Sequence, residues 1–493
     1  MRILTLMQIL KNFCDAMNPS EMDESNVIWQ PQSKQAIFMS RPEYEALYGG
    51  AAGGGKSDAL LIECLRQVHI PHYKALILRK TYPQLSELEE RSAELYPHIY
   101  PGCKYNASKH FWKFPSGALI YFGAMQRTAD RTKYQGKRYD LICFDELTHF
   151  TWDEYSYMFS RNRPSGPGTR VYIRATTNPG GIGHGWVKDR FITAAPPFTP
   201  ITTEMEITLP DGSVEKKCRK RIFIQSTVFD NKKLLENDPN YIANLASLPE
   251  AERNALLYGD WDSFNGQVFT EFKDNPEGYA TSKNTHVIEP FDIPASWQRY
   301  ISFDFGYSHP FSVGFWAIAP SGRLYRYHEI YGCVANSPNT GLKLPPDAIA
   351  KKIREYMDFE RAQLNADIYY RAVADPAIWD DRYGSDASPA KIMEKFGIYF
   401  ERGKHDRLAG KMQIHYRLEF DDEGYPGMYI FKNCKDFIRT IPTIVYDEHN
   451  VEDIDTDCED HIYDETRYFL MMNPLPARLE VKKKKKEFHP LDM

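Results

Sequence analysis

The sequence predicts an α/β protein made of two successive sheet domains, the first mainly parallel and the second mixed. Three observations predict it. A glycine-rich loop, Gly50-Ala51-Ala52-Gly53-Gly54-Gly55-Lys56-Ser57, lies between a short apolar run and an amphipathic one. Strand-like runs then recur at Ala75 to Leu78, Leu119 to Phe122, Leu141 to Phe144, Val171 to Ala175 and Arg221 to Ser226, with helical stretches between some of them. After residue 298 the order becomes three strands, a helix, a strand ending in aspartate, and a late acidic helix.

The elements of the first half follow in order. Trp29 to Gln35 precedes the first strand, where Gln35 is placed to bond an adenine edge, the alternative being an ordinary extended arm. Glu45 to Tyr48 is a strand, and Ser57 to Val68 is a helix whose N-terminus faces the loop. The loop fits G-x-x-x-x-G-K-[ST], the pattern that wraps the phosphates of ATP or GTP. Gly50, Gly53, Gly54 and Gly55 let backbone N–H groups converge on an anion. Lys56 brings positive charge to the β- and γ-phosphates, and the Ser57 hydroxyl is a Mg²⁺ ligand. Tyr139 to Glu146 is an apolar strand ending in two carboxylates. Asp145 reaches Mg²⁺ in such pairs, and Glu146 polarises the attacking water. The strand ending at Arg174-Ala175-Thr176-Thr177-Asn178 runs into Pro179-Gly180-Gly181, and Thr176, Thr177 and Asn178 are placed to sense the γ-phosphate. Phosphoryl transfer also needs a cation, for which Arg79, Arg127, Arg131 and Arg138 are all open choices. The fold expected is a P-loop NTPase of the ASCE type at residues 29–260, preceded by an arm at 1–28 and carrying a lid at about 228–260.

Residues 261–297, rich in Pro, Gly, Ser and Asn toward their end, read as a linker. A strand follows at Arg299 to Gly306 with Asp304 inside it. Phe311 to Ile318 and Arg323 to Ile330 form an antiparallel hairpin about Pro320-Ser321-Gly322. Pro346 to Gln363 is a helix, and Ile368 to Ala374 a strand ending at Asp375. Asp457 to Leu470 reads as a helix bearing Asp460, His461 and Asp464. This is the order of an RNase H-like domain, expected at 298–473. Two divalent metals about 4 Å apart cleave phosphodiesters on such sheets, and hard cations need carboxylates. Asp304, Asp375 and Asp464 supply them, for Mg²⁺ or Mn²⁺. The basic stretch Arg402 to Lys411 is suited to a DNA backbone. The tail at 474–493 holds five consecutive lysines, Lys482 to Lys486, and is expected to be disordered.

Composition narrows the class. Net charge is −6, so polyanion binding has to come from local basic surfaces. None of the eight cysteines has zinc-site spacing, and no apolar run is long enough for a membrane span.

With Gly259-Asp260-Trp261 between the halves, Asp230-Asn231-Lys232 before them, and Asp464-Glu465-Thr466-Arg467-Tyr468 at the end, the chain from about 29 to 472 resembles the large terminase subunit of tailed bacteriophages. The last run is similar to that family's Asp-x-x-Arg-Tyr, which selects Asp464 over Asp460 as third ligand, with His461 nearby. The resemblance implies a motor that packages double-stranded DNA into an empty procapsid through a portal ring, fuelled by ATP with Mg²⁺. It implies a nuclease that cuts concatemers, a small terminase subunit as partner, a pentameric ring, and work in the host bacterial cytoplasm away from any membrane. Two rivals remain at this stage. One is a P-loop helicase or recombination ATPase with a DNA-binding second half. The other is an ATP-gated RNase H-like resolvase.

Overall fold

The computed structural model describes residues 28–472 except 263, 265, 336, 381–387, 448, 449 and 451. Nearly all of the expected N-terminal arm, and the lysine tail, lie outside the described residues. The described chain divides into two compact units. One runs to Thr270 and takes in Val334–Asn339 and Arg439–Asp460; the other holds Glu271–Cys333, Thr340–Ile438 and the residues from His461 onward.

The first unit is built on nine strands: β1 (Glu45–Gly50), β2 (Lys74–Arg79), β3 (Lys104–Asn106), β4 (Phe111–Lys113), β5 (Leu119–Ala124), β6 (Leu141–Phe144), β7 (Tyr172–Thr177), β8 (Ile201–Thr208) and β9 (Val214–Ser226). Their order is β3-β4-β5-β2-β6-β7-β1-β9-β8. The middle six, β5 to β9, are all parallel, and antiparallel strands close both edges. β7 lies between the strand before the glycine loop and the strand ending in Asp145, which is the ASCE arrangement. The sheet is covered on both faces because its strands alternate. Ala75, Ile77, Leu141 and Cys143 join one apolar cluster, with residues of α1 (Ser33–Met39), α2 (Lys56–Leu65) and α3 (Tyr82–Ile99). Leu76, Leu78, Ile142 and Phe144 join the other, with Trp152, Tyr155 and Trp186. α3 starts cleanly because Thr81 accepts from the backbone N–H of Gln84 and Pro83 sits in its first turn.

The second unit carries β10 (Val287–Ile288), β11 (Gln298–Asp304), β12 (Ser312–Ile318), β13 (Leu324–Tyr331), β14 (Tyr370–Ala374), β15 (Phe400–Arg402) and β16 (Met428–Phe431). The order is β10-β16-β13-β12-β11-β14-β15. β11, β12 and β13 are antiparallel neighbours, and β14 and β15 add parallel to β11. This is the RNase H-like arrangement. α4 (Pro346–Leu364) crosses over between β13 and β14, and α5 (Arg407–Leu418) precedes β16. α6 (His461–Leu470) packs on β11, β12 and β14.

Four expectations differ from this. Residues 261–297 are not a bare linker: Thr285, His286, Val287 and Ile288 are buried, and β10 extends the second sheet. Two paired residues are too short a strand to leave a periodic signal. The second domain is not the continuous stretch 298–473, since Arg439–Asp460 belongs to the first unit, where Gln267 pairs with Val445. The last helix starts at His461, so Asp460 does not share its face with Asp464. Finally, Arg402 to Lys411 is no open basic loop. It ends a strand and opens α5, and Lys411 is buried. Among the described residues no helix is long and apolar enough to cross a membrane.

Candidate active sites

The glycine loop joins β1 to α2 with its residues held from three sides. The Tyr48 hydroxyl donates to the Gly54 carbonyl at 2.8 Å, the Asn231 amide to Gly53 at 2.6 Å, and the Gln35 amide to Gly55 at 2.7 Å. Gly55 caps α2 at φ +69°, and a Cβ there would meet Gln35 Nε2 at 2.6 Å. The other end of Gln35 accepts from the Gln32 N–H at 2.9 Å. The residue expected to read adenine is therefore engaged at both ends in shaping the loop.

Lys56 is buried, with Nζ 2.7 Å from the Ala51 carbonyl and 2.8 Å from Asn178 Oδ1. Burial lowers its pKa, while the carboxylates of Glu146 and Asp145 act to raise it. Asn178 also donates to both oxygens of Glu146, from its backbone at 3.1 Å and its amide at 3.2 Å. Asn178 thus stands between the glycine-loop lysine and the glutamate. Glu146 itself has φ 55°, a left-handed conformation that a non-glycine residue adopts at a cost. Asp145 is fully buried and takes Arg79 Nε at 2.7 Å and the Thr176 hydroxyl. Thr177 is buried and bonds Thr148 at 3.1 Å. Ser57 follows Lys56 in the first turn of α2, half-buried.

Arg131 is one of the arginines the sequence offers. It lies in the Thr128–Tyr134 turn, 3.1 Å from Asp153 and over the Tyr157 ring. Arg79 is the arginine that meets the acidic pair, because it ends β2 directly beside β6.

In the second unit, Asp304 ends β11 and Asp375 follows β14, the parallel neighbour, where its N–H donates to the Phe303 carbonyl at 3.0 Å. The strand pairing alone puts these two side by side. His461 Nδ1 is 3.2 Å from Asp304 Oδ2, and Asp464 lies three residues further along α6, on the same side. Burial raises the Asp304 pKa; His461 counters this, and Asp464 and Asp375 add to it. Asp304 thus feels the charge of both Asp464 and Asp375. Each also has a partner of its own. Asp375 accepts from the Ala377 N–H at 3.0 Å and Asp464 from Arg467 Nε at 2.6 Å. Among the described residues no three His, Cys, Asp or Glu side chains close into a metal-holding group. The donors fit hard divalent cations in kind, being carboxylates, two at adjacent strand ends and one on α6.

Residues 47–275 match the family model described as terminase large subunit, T4likevirus-type, N-terminal. That stretch is similar to the N-terminal part of large terminase subunits. Among solved structures it is similar to the large terminase of a thermophilic bacteriophage, at 16% identity and a TM-score of 0.37, over 90% of this chain and 99% of that one. The HK97 bacteriophage large terminase aligns at 9% identity and a TM-score of 0.41, over 89% and 95%. The P22 large terminase nuclease domain aligns at 14% and 0.31, over 42% and 92%. No curated protein matches the chain.

Sequence reasoning had no role for several residues of this site. Tyr48 and Asn231 hold the loop from beneath and beside, and Gln32 ties Asn231 and Lys232 to the arm. Gly259 and Trp261 were visible only as a marker. The structure sets them behind the loop: Ala52 N–H donates to the Leu256 carbonyl at 2.8 Å, and Gly259 lies against Gly50. His184 closes the arrangement, bonding Gly180 N–H at 2.9 Å and the Trp261 carbonyl at 3.1 Å.

Proposed function

We propose that this chain is a viral DNA-packaging motor, hydrolysing ATP to drive double-stranded DNA into an empty procapsid and cutting concatemeric genomes with a metal-dependent endonuclease. The observation that carries the reading is the contact chain Lys56–Asn178–Glu146 in a chain that also sets Asp304 and Asp375 at neighbouring strand ends, with Asp464 on α6 close enough to Asp304 to act on its charge. Loop N–H groups, the α2 N-terminus and Lys56 bind the phosphates. Glu146 orients the hydrolytic water, and its bonds to Asn178 pass the γ-phosphate's presence to the end of β7. Ser57 and Asp145 would hold Mg²⁺, which supplies positive charge to the phosphate oxygens. Asp304, Asp375 and Asp464 would hold one or two divalent ions, Mg²⁺ or Mn²⁺, which supply an activated water and stabilise the leaving oxygen. The portal ring, a small terminase subunit and a pentameric ring of copies complete the assembly in the host cytoplasm.

The test is ATP-dependent filling of portal-bearing empty heads, read as DNA protected from nuclease. Protection that requires this chain, ATP and Lys56 supports the motor. ATP turnover and plasmid cutting without any protected DNA would return the reading to a helicase or resolvase.

A further inference from the structure

We propose that Glu465 and Arg326 form a positioning pair that fixes Asp464 and His461 against Asp304; the inference rests on the nuclease reading above. Glu465 is the residue after Asp464 and is completely buried, as is Arg326. One of its oxygens accepts from Arg326 Nη1 at 2.7 Å and lies 3.4 Å from the Ser312 hydroxyl. The other accepts from the Ser302 hydroxyl and from Trp316 Nε1 at 3.2 Å. Ser302 precedes Asp304 by two residues, so both point to one face of β11. Ser312 is the residue paired with Asp304 across the ladder. A single carboxylate on α6 is thereby tied to β11, β12 and β13 around the strand end that carries Asp304.

The sheet is shaped to receive it. A Cβ on Gly314 would fall 2.0 Å from Glu465 Oε1 and 2.4 Å from Arg326 Nη1, so only glycine leaves the space. Arg326 is held from behind by Glu329 at 3.3 Å, which in turn accepts from the Asp436 N–H at 2.7 Å. Glu465 sets the rotation of α6 about its axis. That rotation aims His461 and Asp464, one turn apart on a neighbouring face, at Asp304. A buried ion pair gives little stability over an apolar pair of equal volume, whereas it does fix register. Removing a group that orients ligands costs metal affinity rather than the fold.

The experiment uses the full chain. It compares wild type, Glu465→Gln, and the double variant Glu465→Leu with Arg326→Met, which replaces the pair by apolar side chains. Three quantities are read: the Mn²⁺ concentration for half-maximal plasmid cutting, Mn²⁺ affinity from the free-ion EPR signal without nucleotide, and the unfolding temperature. We expect Glu465→Gln to raise the Mn²⁺ requirement and dissociation constant about tenfold. The double variant recovers the wild-type unfolding temperature and keeps the raised Mn²⁺ requirement, and ATP turnover is unchanged in both. Should Glu465→Gln fail to fold, the double variant carries the comparison alone. If its Mn²⁺ requirement returns to the wild-type value together with its stability, the pair is structural only and the inference falls. If wild type shows neither metal-dependent cutting nor Mn²⁺ binding that Asp304→Asn removes, the nuclease reading falls and takes the inference with it.

Discussion

A Cβ on Gly259 would stand 2.5 Å from the carbonyl oxygen of Gly50, the first glycine of the phosphate loop. Gly259 also has φ +70°. Both the backbone angle and the close approach demand glycine. Gly259→Ala should destabilise the first unit by about 1–3 kcal/mol and weaken ATP binding, because the loop must shift to relieve the clash. Thermal unfolding with and without ATP measures both; an unchanged melting temperature would remove the argument.

Separating the two chemistries is a direct check. Lys56→Ala and Glu146→Ala should each abolish ATP turnover and leave metal-dependent plasmid cutting intact. Asp304→Asn, Asp375→Asn and Asp464→Asn should do the reverse. Cutting that disappears with Lys56→Ala, or turnover that disappears with Asp304→Asn, would show that the two sites are not independent.

The arginines are distinguishable by position. Arg79 donates to Asp145 at 2.7 Å, with the carboxylate buried. Arg79→Ala should lower ATP turnover by about 100-fold. Arg131 is half exposed on Asp153, and exposed pairs of this kind contribute little. Arg131→Ala should leave turnover of the isolated chain within about twofold. Steady-state kinetics on the two variants decides; equal losses would count against the assignment of Arg79.

Acid should loosen the first unit through His184. Its Nδ1 accepts from Gly180 N–H, so the proton sits on Nε2 facing the Trp261 carbonyl. Burial drives its pKa from 6.5 to about 3, with Lys188 pushing the same way and the carbonyl opposing. Below its ordinary pKa the unfolded chain binds a proton that the folded chain refuses. The contribution is complete above about pH 6.5 and is lost as pH falls toward about 3, at ~1.4 kcal/mol per pH unit. His184→Gln should be less stable at pH 7.5 but lose stability less steeply below pH 6. Denaturant melts across that range test the slope; parallel curves for the two proteins would refute it.

Much of this was readable from residue order. The loop, the strand ending at Asp145 and the strand ending at Asp304 carry local patterns that fix both type and position. Asp375 was also accessible, because a carboxylate after the strand that pairs with β11 has only one place to go. What escaped depends on tertiary approach. Arg79 looked like any strand-end arginine until β2 was placed beside β6. Gln35 was expected at a base, and its brace on the loop could not be read, since nothing local fixes which way a long amide turns. Arg439–Asp460 leaves the second unit for the first, and composition contains no trace of that crossing. Glu465 was quoted within a motif, but the hole at Gly314 that receives it is formed by a strand far away in sequence.

Asp304 and Asp375 end two adjacent parallel strands joined through the Phe303 carbonyl. Neighbouring strands in any sheet lie about 4.8 Å apart. The spacing of the two main-chain positions that carry these carboxylates is therefore inherited from strand pairing, a ruler no side-chain substitution can recalibrate. Evolution is left free to vary almost everything around it and has one dimension it never needs to retune.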